Sequence, residues 1–286
     1  MCWIQSGVPG GRVVAGFAVA AVASALGNAG YINWGWRALF LAGAVVLVVA
    51  VVMRYKLSES PLFKALSQRK AVERSPAVTV LKLYWRRILL LACATNFQIS
   101  VPAILLLPFT LVYALALAEA RHVPGITPAM ISLAIGVGSI ALIGGQVIGG
   151  IAGSIIGRRK TCLISALVTL VFDVIYFPMV NTLNVTYIFL ASMLLQFAFA
   201  PGAATVGVLV AEHFETKYRV TGAGLCYQIG GLIGGVTSGI MLPLLIVVAP
   251  SVTSQWPYVT ALAIAVTLLS VIGLALTKET KGIEFK

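Results

Sequence analysis

Residues 54–87 read RYKLSESPLFKALSQRKAVERSPAVTVLKLYWRR and carry nine basic side chains, Arg54, Lys56, Lys64, Arg69, Lys70, Arg74, Lys82, Arg86 and Arg87, against only Glu59 and Glu73. On either side the chain enters long stretches almost free of charge. The contrast recurs along the chain, because 18 of its 20 Lys and Arg residues precede the first apolar stretch or fill every second gap after it. Arg12 comes first; after the nine above follow Arg158, Arg159 and Lys160, then Lys217 and Arg219, then Lys278, Lys281 and Lys286 in the tail. Only Arg37 and Arg121 break the pattern. Inserting helices resist carrying basic residues across a bilayer, so such residues collect on the cytoplasmic side. The alternation predicts an even number of crossings of the cell's inner membrane, with both termini and the 54–87 connector in the cytoplasm.

Composition leads to the same class. With 60% hydrophobic and 10% charged residues over 286 positions, the chain has more apolar surface than one water-soluble core can hide. The fold class is therefore all-α, a polytopic membrane protein, since helices satisfy their own backbone hydrogen bonds in lipid. A crossing takes about 20 mostly apolar residues, and eight segments qualify as transmembrane helices. They are Val13 to Gly30, Trp36 to Met53, Ile88 to Ala116, Ala129 to Ile156, Thr161 to Val180, Tyr187 to Ala211, Thr221 to Val248 and Val259 to Leu276. The second has 16 uncharged residues between Arg37 and Arg54, which snorkel outward from its ends. Turn chemistry alone divides the fifth from the sixth, at Asn181 to Asn184, and the seventh from the eighth, at Ala249 to Pro257. Arg12, the apolar run after it and Ala23-Ser24-Ala25 imitate a cleavable signal peptide, but seven further spans and the charge alternation favour a retained helix.

In the connector, Ser60-Pro61 and Ser75-Pro76 each read as an N-cap followed by a first helical residue. Two short helices are expected there, the first amphipathic through Leu62, Phe63 and Leu66 and lying against the membrane or the helix ends. The net charge of +12 flanks apolar spans, which suits anionic lipid headgroups and argues against a nucleic-acid partner. Cys2, Cys93, Cys162 and Cys226 lack metal-ligand spacing, and His122 and His213 stand alone, so neither a metal site nor a cofactor is expected. With no phosphate-cradling loop, nucleophile elbow or paired catalytic carboxylates, the sequence does not read as an enzyme.

Glycines at 145, 149, 153 and 157 share one helix face, and Gly230, Gly231, Gly234, Gly235 and Gly239 give the seventh span the same character. Such stripes let backbones approach closely, in static packing or along a sliding interface. Prolines at 102, 108, 178, 201 and 243 lie within apolar spans, where each removes a backbone hydrogen bond. Polar residues in hydrocarbon face a bundle interior or a water-filled path. Those here are Asn96, Gln98 and Ser100 in the third span, Gln146 in the fourth, Ser192 and Gln196 in the sixth, and Tyr227 and Gln228 in the seventh. Each is either a solute contact or an interhelical hydrogen bond. Asp173 is the one acid deep in a span and, on physical grounds, the proton-coupling candidate.

Gly35-Trp36-Arg37, Phe40-Leu41 and Glu59-Ser60-Pro61 resemble the fifth-to-sixth helix region of the major facilitator superfamily, and more narrowly the metabolite:proton symporter family. Glu212-His213-Phe214 through Arg219, Thr221-Gly222 and Tyr227-Gln228 is similar to that family's stretch joining helices ten and eleven, although Glu215 stands where proline is usual. Gly150 to Arg159 resembles the superfamily's signature loop, keeping Gly150, Gly157, Arg158 and Arg159 but placing Ser154 at the acidic position and Ile155 at the basic one. The resemblance implies a cytoplasmic gate of Gly150, Gly157, Arg158, Arg159, Glu212 and Arg219, with a latch weakened by those two departures.

By the same resemblance the eight spans correspond to helices five to twelve of a twelve-helix carrier, so the major facilitator fold is expected in N-terminally truncated form. Residues 1–53 are then the last two helices of the N-terminal bundle, 54–87 the cytoplasmic linker and 88–286 the C-terminal six-helix bundle. The glycine-striped fourth and seventh spans become helices eight and eleven, at the contact between halves. Asn96, Gln98 and Gln196 fall on cavity-lining helices, and Gln146, Tyr227 and Gln228 remain cavity candidates. Asp173 falls on a peripheral helix, so resemblance and physics disagree about it. The function implied is proton-coupled symport of a small organic solute, a carboxylate or an osmolyte, by alternating access. Solute, protons and the lipid bilayer are the expected partners, with an absent N-terminal half as another. The alternative is a non-transporting membrane partner, or the remnant half of a split transporter.

Overall fold

The computed structural model describes residues 7–56, 76–102 and 108–282. Among them the regular elements are helices. In chain order these are α1 (Gly7–Gly30), α2 (Trp36–Lys56), α3 (Pro76–Val101), α4 (Pro108–Ala120), α5 (Pro128–Ile155), α6 (Arg158–Val180), α7 (Val185–Glu212), α8 (Arg219–Val236), α9 (Leu242–Val248) and α10 (Gln255–Leu276). Seven continuous helical stretches are long and apolar enough to cross a membrane, so the chain is a multi-pass membrane protein.

The expected span from Ile88 to Ala116 is described on either side of residues 103–107, as α3, which ends at Val101, and the 13-residue α4, which starts at Pro108. Helix α3 also begins earlier than expected, at Pro76, and bends at Tyr84 (φ −125°, ψ 15°), so the second connector helix and the third span are one kinked element. The first connector helix, at Leu62, Phe63 and Leu66, lies outside the described residues.

Pro178 and Pro201 lie inside α6 and α7 without ending them. Pro243 follows a π-helical turn over Thr237–Met241 that joins α8 to α9. That wider turn gives the ring room against the preceding carbonyls. Caps fix other ends: the Thr127 side chain accepts from the Met130 N–H ahead of α5, and Asn184 accepts from the Thr186 N–H ahead of α7.

Helix α7 is central, packed against α5 on one side and α6 on the other, while α3 packs against α8 and α10, and α10 also against α6. The glycine stripe of α5 explains the tightest of these contacts. A Cβ at Gly145 would sit 2.5 Å from the Cβ of Ala200, and one at Gly149 would overlap the backbone of Pro201. Gly145, Gly149 and Gly153 thus face α7. In α8 the glycines divide: Gly230 and Gly234 face Thr95 and Ser100 of α3, whereas Gly231 and Gly235, like Gly239 in the π-helical turn that follows, meet nothing within 4 Å. Helix α1 rests on α5 where Gly16 comes close to Gly136 and Ser132. Helix α2 buries no side chain.

The two basic residues outside the charge alternation are satisfied locally. Arg121 donates to the carbonyl of Asn181, joining the turn after α4 to the turn before α7. Arg37 donates to the carbonyl of Asn33 and lies 4.4 Å over the Trp36 ring.

Candidate functional site

Five helices converge on a cavity of about 160 Å³. Helix α1 supplies Pro9 and Arg12, α3 Gln98 and Ile99, α5 Leu142 and Gln146, α7 Phe199 and Ala203, and α8 Tyr227. Gln146 lies nine residues before the end of α5, which at about 1.5 Å per residue is roughly 14 Å into the helix. Arg12 borders the same cavity, five residues into α1. One helical turn separates Arg12 from Gly16, the residue seated against α5, so the turn that docks α1 also aims its cation inward.

The cavity is electrostatically one-sided. Five acids lie in described regions, Glu119, Asp173, Glu212, Glu215 and Glu279, and none of them lines it. Arg12 has no carboxylate within ion-pair distance among the described residues. Around its guanidinium stand two amides and a phenol, groups that orient a polar guest but carry no charge.

Of the six cavity candidates, the structure brings together Gln98, Gln146 and Tyr227 and turns the other three away. Asn96 is fully buried and spent within its own helix, its amide donating to the Ala92 carbonyl at 2.7 Å and its oxygen accepting from Ser100 at 2.6 Å. Gln196 ties α7 to α5, donating to the Ile135 carbonyl at 2.9 Å and accepting from Ser139 at 3.1 Å. Gln228, one residue past Tyr227, is exposed on the outer side of α8. Asp173 is buried in the interface of α6 with α10, where Thr267 donates to its Oδ2 at 2.6 Å, and it takes no part in the cavity.

The gate residues gather at the end of the bundle where the α5–α6 turn, the α7–α8 turn and the tail meet. Arg158 pairs with Glu212 at 3.4 Å and donates to the Gly153 carbonyl, while Arg159 donates to the carbonyls of Leu274 and Ala275. Arg219 donates to Thr216 within the α7–α8 turn, and Gly150 lies one turn from the end of α5. Ser154, standing at the acidic position, donates to its own helix at the Ile151 carbonyl. The carboxylate comes instead from Glu279. Its oxygens accept the backbone N–H groups of Arg158 at 2.9 Å and of Arg159 and Lys160 at 3.4 Å, capping α6 from outside the helix.

Burial alone would raise the Glu279 carboxyl, but N–H donors from Lys281, Arg159, Thr280 and Lys160 outweigh it and hold the group below its ordinary range. Gly157 permits this approach: its φ is 107°, and a Cβ there would lie 2.5 Å from Glu279 Oε2. Thr280 donates to Glu212, and Lys281 to the Ile155 carbonyl. The loop is therefore tied by the tail. On the adjoining segment Tyr84 donates to Glu215 at 3.1 Å and Arg87 to the His213 carbonyl at 2.7 Å.

Sequence reasoning missed Arg12 and Glu279 as participants. For Arg12 the available signal was its spacing of four from a helix-packing glycine; for Glu279, an acid alone in the basic run Lys278 to Lys281.

No family model matches the chain. Among curated proteins it is 26% identical over 216 residues to the inner membrane metabolite transport protein YhjE of Escherichia coli K12, covering 71% of this chain and 46% of that protein. It is 24% identical over 247 residues to the proline/betaine transporter of the same strain, covering 82% and 47%. With the glycine betaine/proline/ectoine/pipecolic acid transporter OusA of Dickeya dadantii it shares 23% over 247 residues, covering 82% and 47%. The chain thus spans about half the length of the curated relatives it matches. With its helical membrane bundle, its Gly157-Arg158-Arg159 turn and these alignments, the chain is a homologue of the metabolite and proline/betaine transporters of the major facilitator superfamily.

Proposed function

We propose that the chain belongs to a secondary active transporter that moves a small organic solute, a carboxylate or an osmolyte, across the inner membrane in symport with protons. The cavity of Arg12, Gln98, Gln146 and Tyr227, lying where α1, α3, α5, α7 and α8 meet, carries this reading. Alternating-access carriers hold their solute near the bilayer midplane, between packed helical units that rock around it. In the proposed organisation residues 1–53 belong to one unit, 54–87 form a cytoplasmic linker and 88–286 form the other, with both termini in the cytoplasm. The end bearing Arg158, Lys217, Arg219 and Lys281 is the cytoplasmic one, in keeping with the distribution of basic residues. The names of the relatives agree with small polar solutes.

Coupling rests on differential affinity: proton and solute together favour the inward-moving state and neither does so alone. Asp173 is the proposed proton carrier. Its bond to Thr267 joins α6 to α10, so gain or loss of a proton there changes how those helices are held together. Helix α2, with no buried side chain, favours a second reading in which the chain packs against another helical membrane protein without transporting. Uptake by proteoliposomes of the purified chain separates the two. Accumulation of a labelled solute that rises with an inward proton gradient supports transport, and its loss in Asp173→Asn supports the coupling assignment. Absence of uptake under any gradient favours the non-transporting reading.

A further inference from the structure

We propose that Arg12 is the solute-recognition residue and that it binds a carboxylate group of the transported solute, an inference that rests on the transport reading above. The first observation is placement. A guanidinium taken partly out of water costs free energy unless remaining water or an opposite charge meets it. Here it is half-buried and borders a cavity that no described acid reaches. The group that completes its charge is therefore sought in the guest.

The second observation is the chemistry of the remaining lining. Gln98 and Gln146 offer amide donors, and Tyr227 offers a hydroxyl. A carboxylate has two oxygens and about four lone-pair sites, enough for the forked guanidinium and one or more of these neutral donors. A phosphate, carrying about −1.5 to −2, would leave close to one charge without a partner beside a single arginine. The walls opposite are Ile99, Leu142, Phe199 and Ala203, apolar surface for the body of the solute.

An apolar cavity of about 150 Å³ holds benzene, so the 160 Å³ here has room for a solute of comparable bulk. The faces of Phe199 and Tyr227 accommodate either a hydrocarbon body or an ammonium group, so the carboxylate is the required feature and the opposite end of the solute is not.

The test is binding of matched pairs to the purified full chain in detergent, measured by titration calorimetry: proline with prolinamide, glycine betaine with its amide, and succinate with succinamide. Each pair differs only at the carboxyl group. For every acid that binds, affinity should fall about tenfold to a hundredfold on conversion to the amide, as befits loss of a charge-assisted bond. Arg12→Gln should abolish that preference. Arg12→Lys should retain part of it, since a lysine keeps the charge and loses the fork. A circular-dichroism spectrum like that of the parent chain confirms that each variant is folded.

The inference is overturned if amides bind as well as acids, or if folded Arg12→Gln keeps the acid preference; transport of another solute class then still stands. If none of the six probes binds and none is taken up by proteoliposomes, the transport reading fails and this inference falls with it.

Discussion

Replacing Gly149 with alanine adds one carbon where the structure has no room for it. The new Cβ would overlap the Cα and carbonyl oxygen of Pro201 and lie 2.7 Å from its carbonyl carbon, where ordinary contact begins at 3.4 Å. All three atoms are backbone, so relief requires α5 and α7 to separate by at least 0.7 Å along the whole stripe that Gly145 and Gly153 share. Overpacking of this kind costs about 1–3 kcal/mol, and a contact against backbone belongs at the upper end. The helix-propensity gain of about 1 kcal/mol for Gly→Ala offsets only part of it. Gly144, one residue earlier, meets nothing within 4 Å, so the same substitution there should stabilise by about that 1 kcal/mol. At about 2–4 °C per kcal/mol for a unit of this size, the two variants should melt roughly 6–12 °C apart. Thermal unfolding in detergent, followed by circular dichroism, measures the difference. Equal melting temperatures, or a more stable Gly149→Ala, would refute the packing of the stripe against α7.

Three further outcomes follow from the same contacts. Glu279→Gln should lower stability by about 1 kcal/mol by weakening a charge-assisted cap on α6. Because Glu279 titrates below its ordinary value when folded, its contribution is present above pH 4.5 and lost as pH falls below that, so melting curves between about pH 5 and 3 should steepen less for the variant. Gln196→Leu should cost about 1–3 kcal/mol of stability, through the Ile135 carbonyl and Ser139 hydroxyl it abandons, without changing solute affinity in the folded fraction. Gln98→Leu should do the reverse: melting stays near the parent value while solute affinity falls about fivefold to tenfold, read by calorimetry.

Much of the architecture was legible because hydrophobicity over about 20 residues is a strong signal in a membrane protein. Seven of the eight expected spans coincide with long apolar helices, and Asn181 to Asn184 is a turn, as its residue types imply. The third span, Ile88 to Ala116, is described only on either side of residues 103–107, as α3 and α4. The glycine repeat of α5 fixed a shared face correctly, but periodicity cannot say which neighbour that face meets. Pro201 and Ala200 of α7 answer that only in three dimensions.

The site was half legible for a similar reason. Gln98 and Asn96 are two residues apart on α3, so a helix turns them about 200° from each other. One enters the cavity and the other folds back onto Ala92 and Ser100. Arg12 was not read as a cavity residue because a basic residue ahead of an apolar run looks like an anchor, and only the docking of α1 on α5 brings it to the cavity. Glu279 escaped notice because the contact with residues 158–160 spans about 120 positions.

The central claim is that Arg12, Gln98, Gln146 and Tyr227 surround one solute-accessible cavity inside the bundle. In a chain with Cys2, Cys93, Cys162 and Cys226 replaced, single cysteines at Gln98, Tyr227, Asn96 and Gln196 can be challenged in membrane vesicles with a water-soluble maleimide. Rapid labelling at 98 and 227, slowed by a bound solute, together with silence at 96 and 196, is the predicted result. Labelling at 96 and 196 with 98 and 227 unreactive would contradict it.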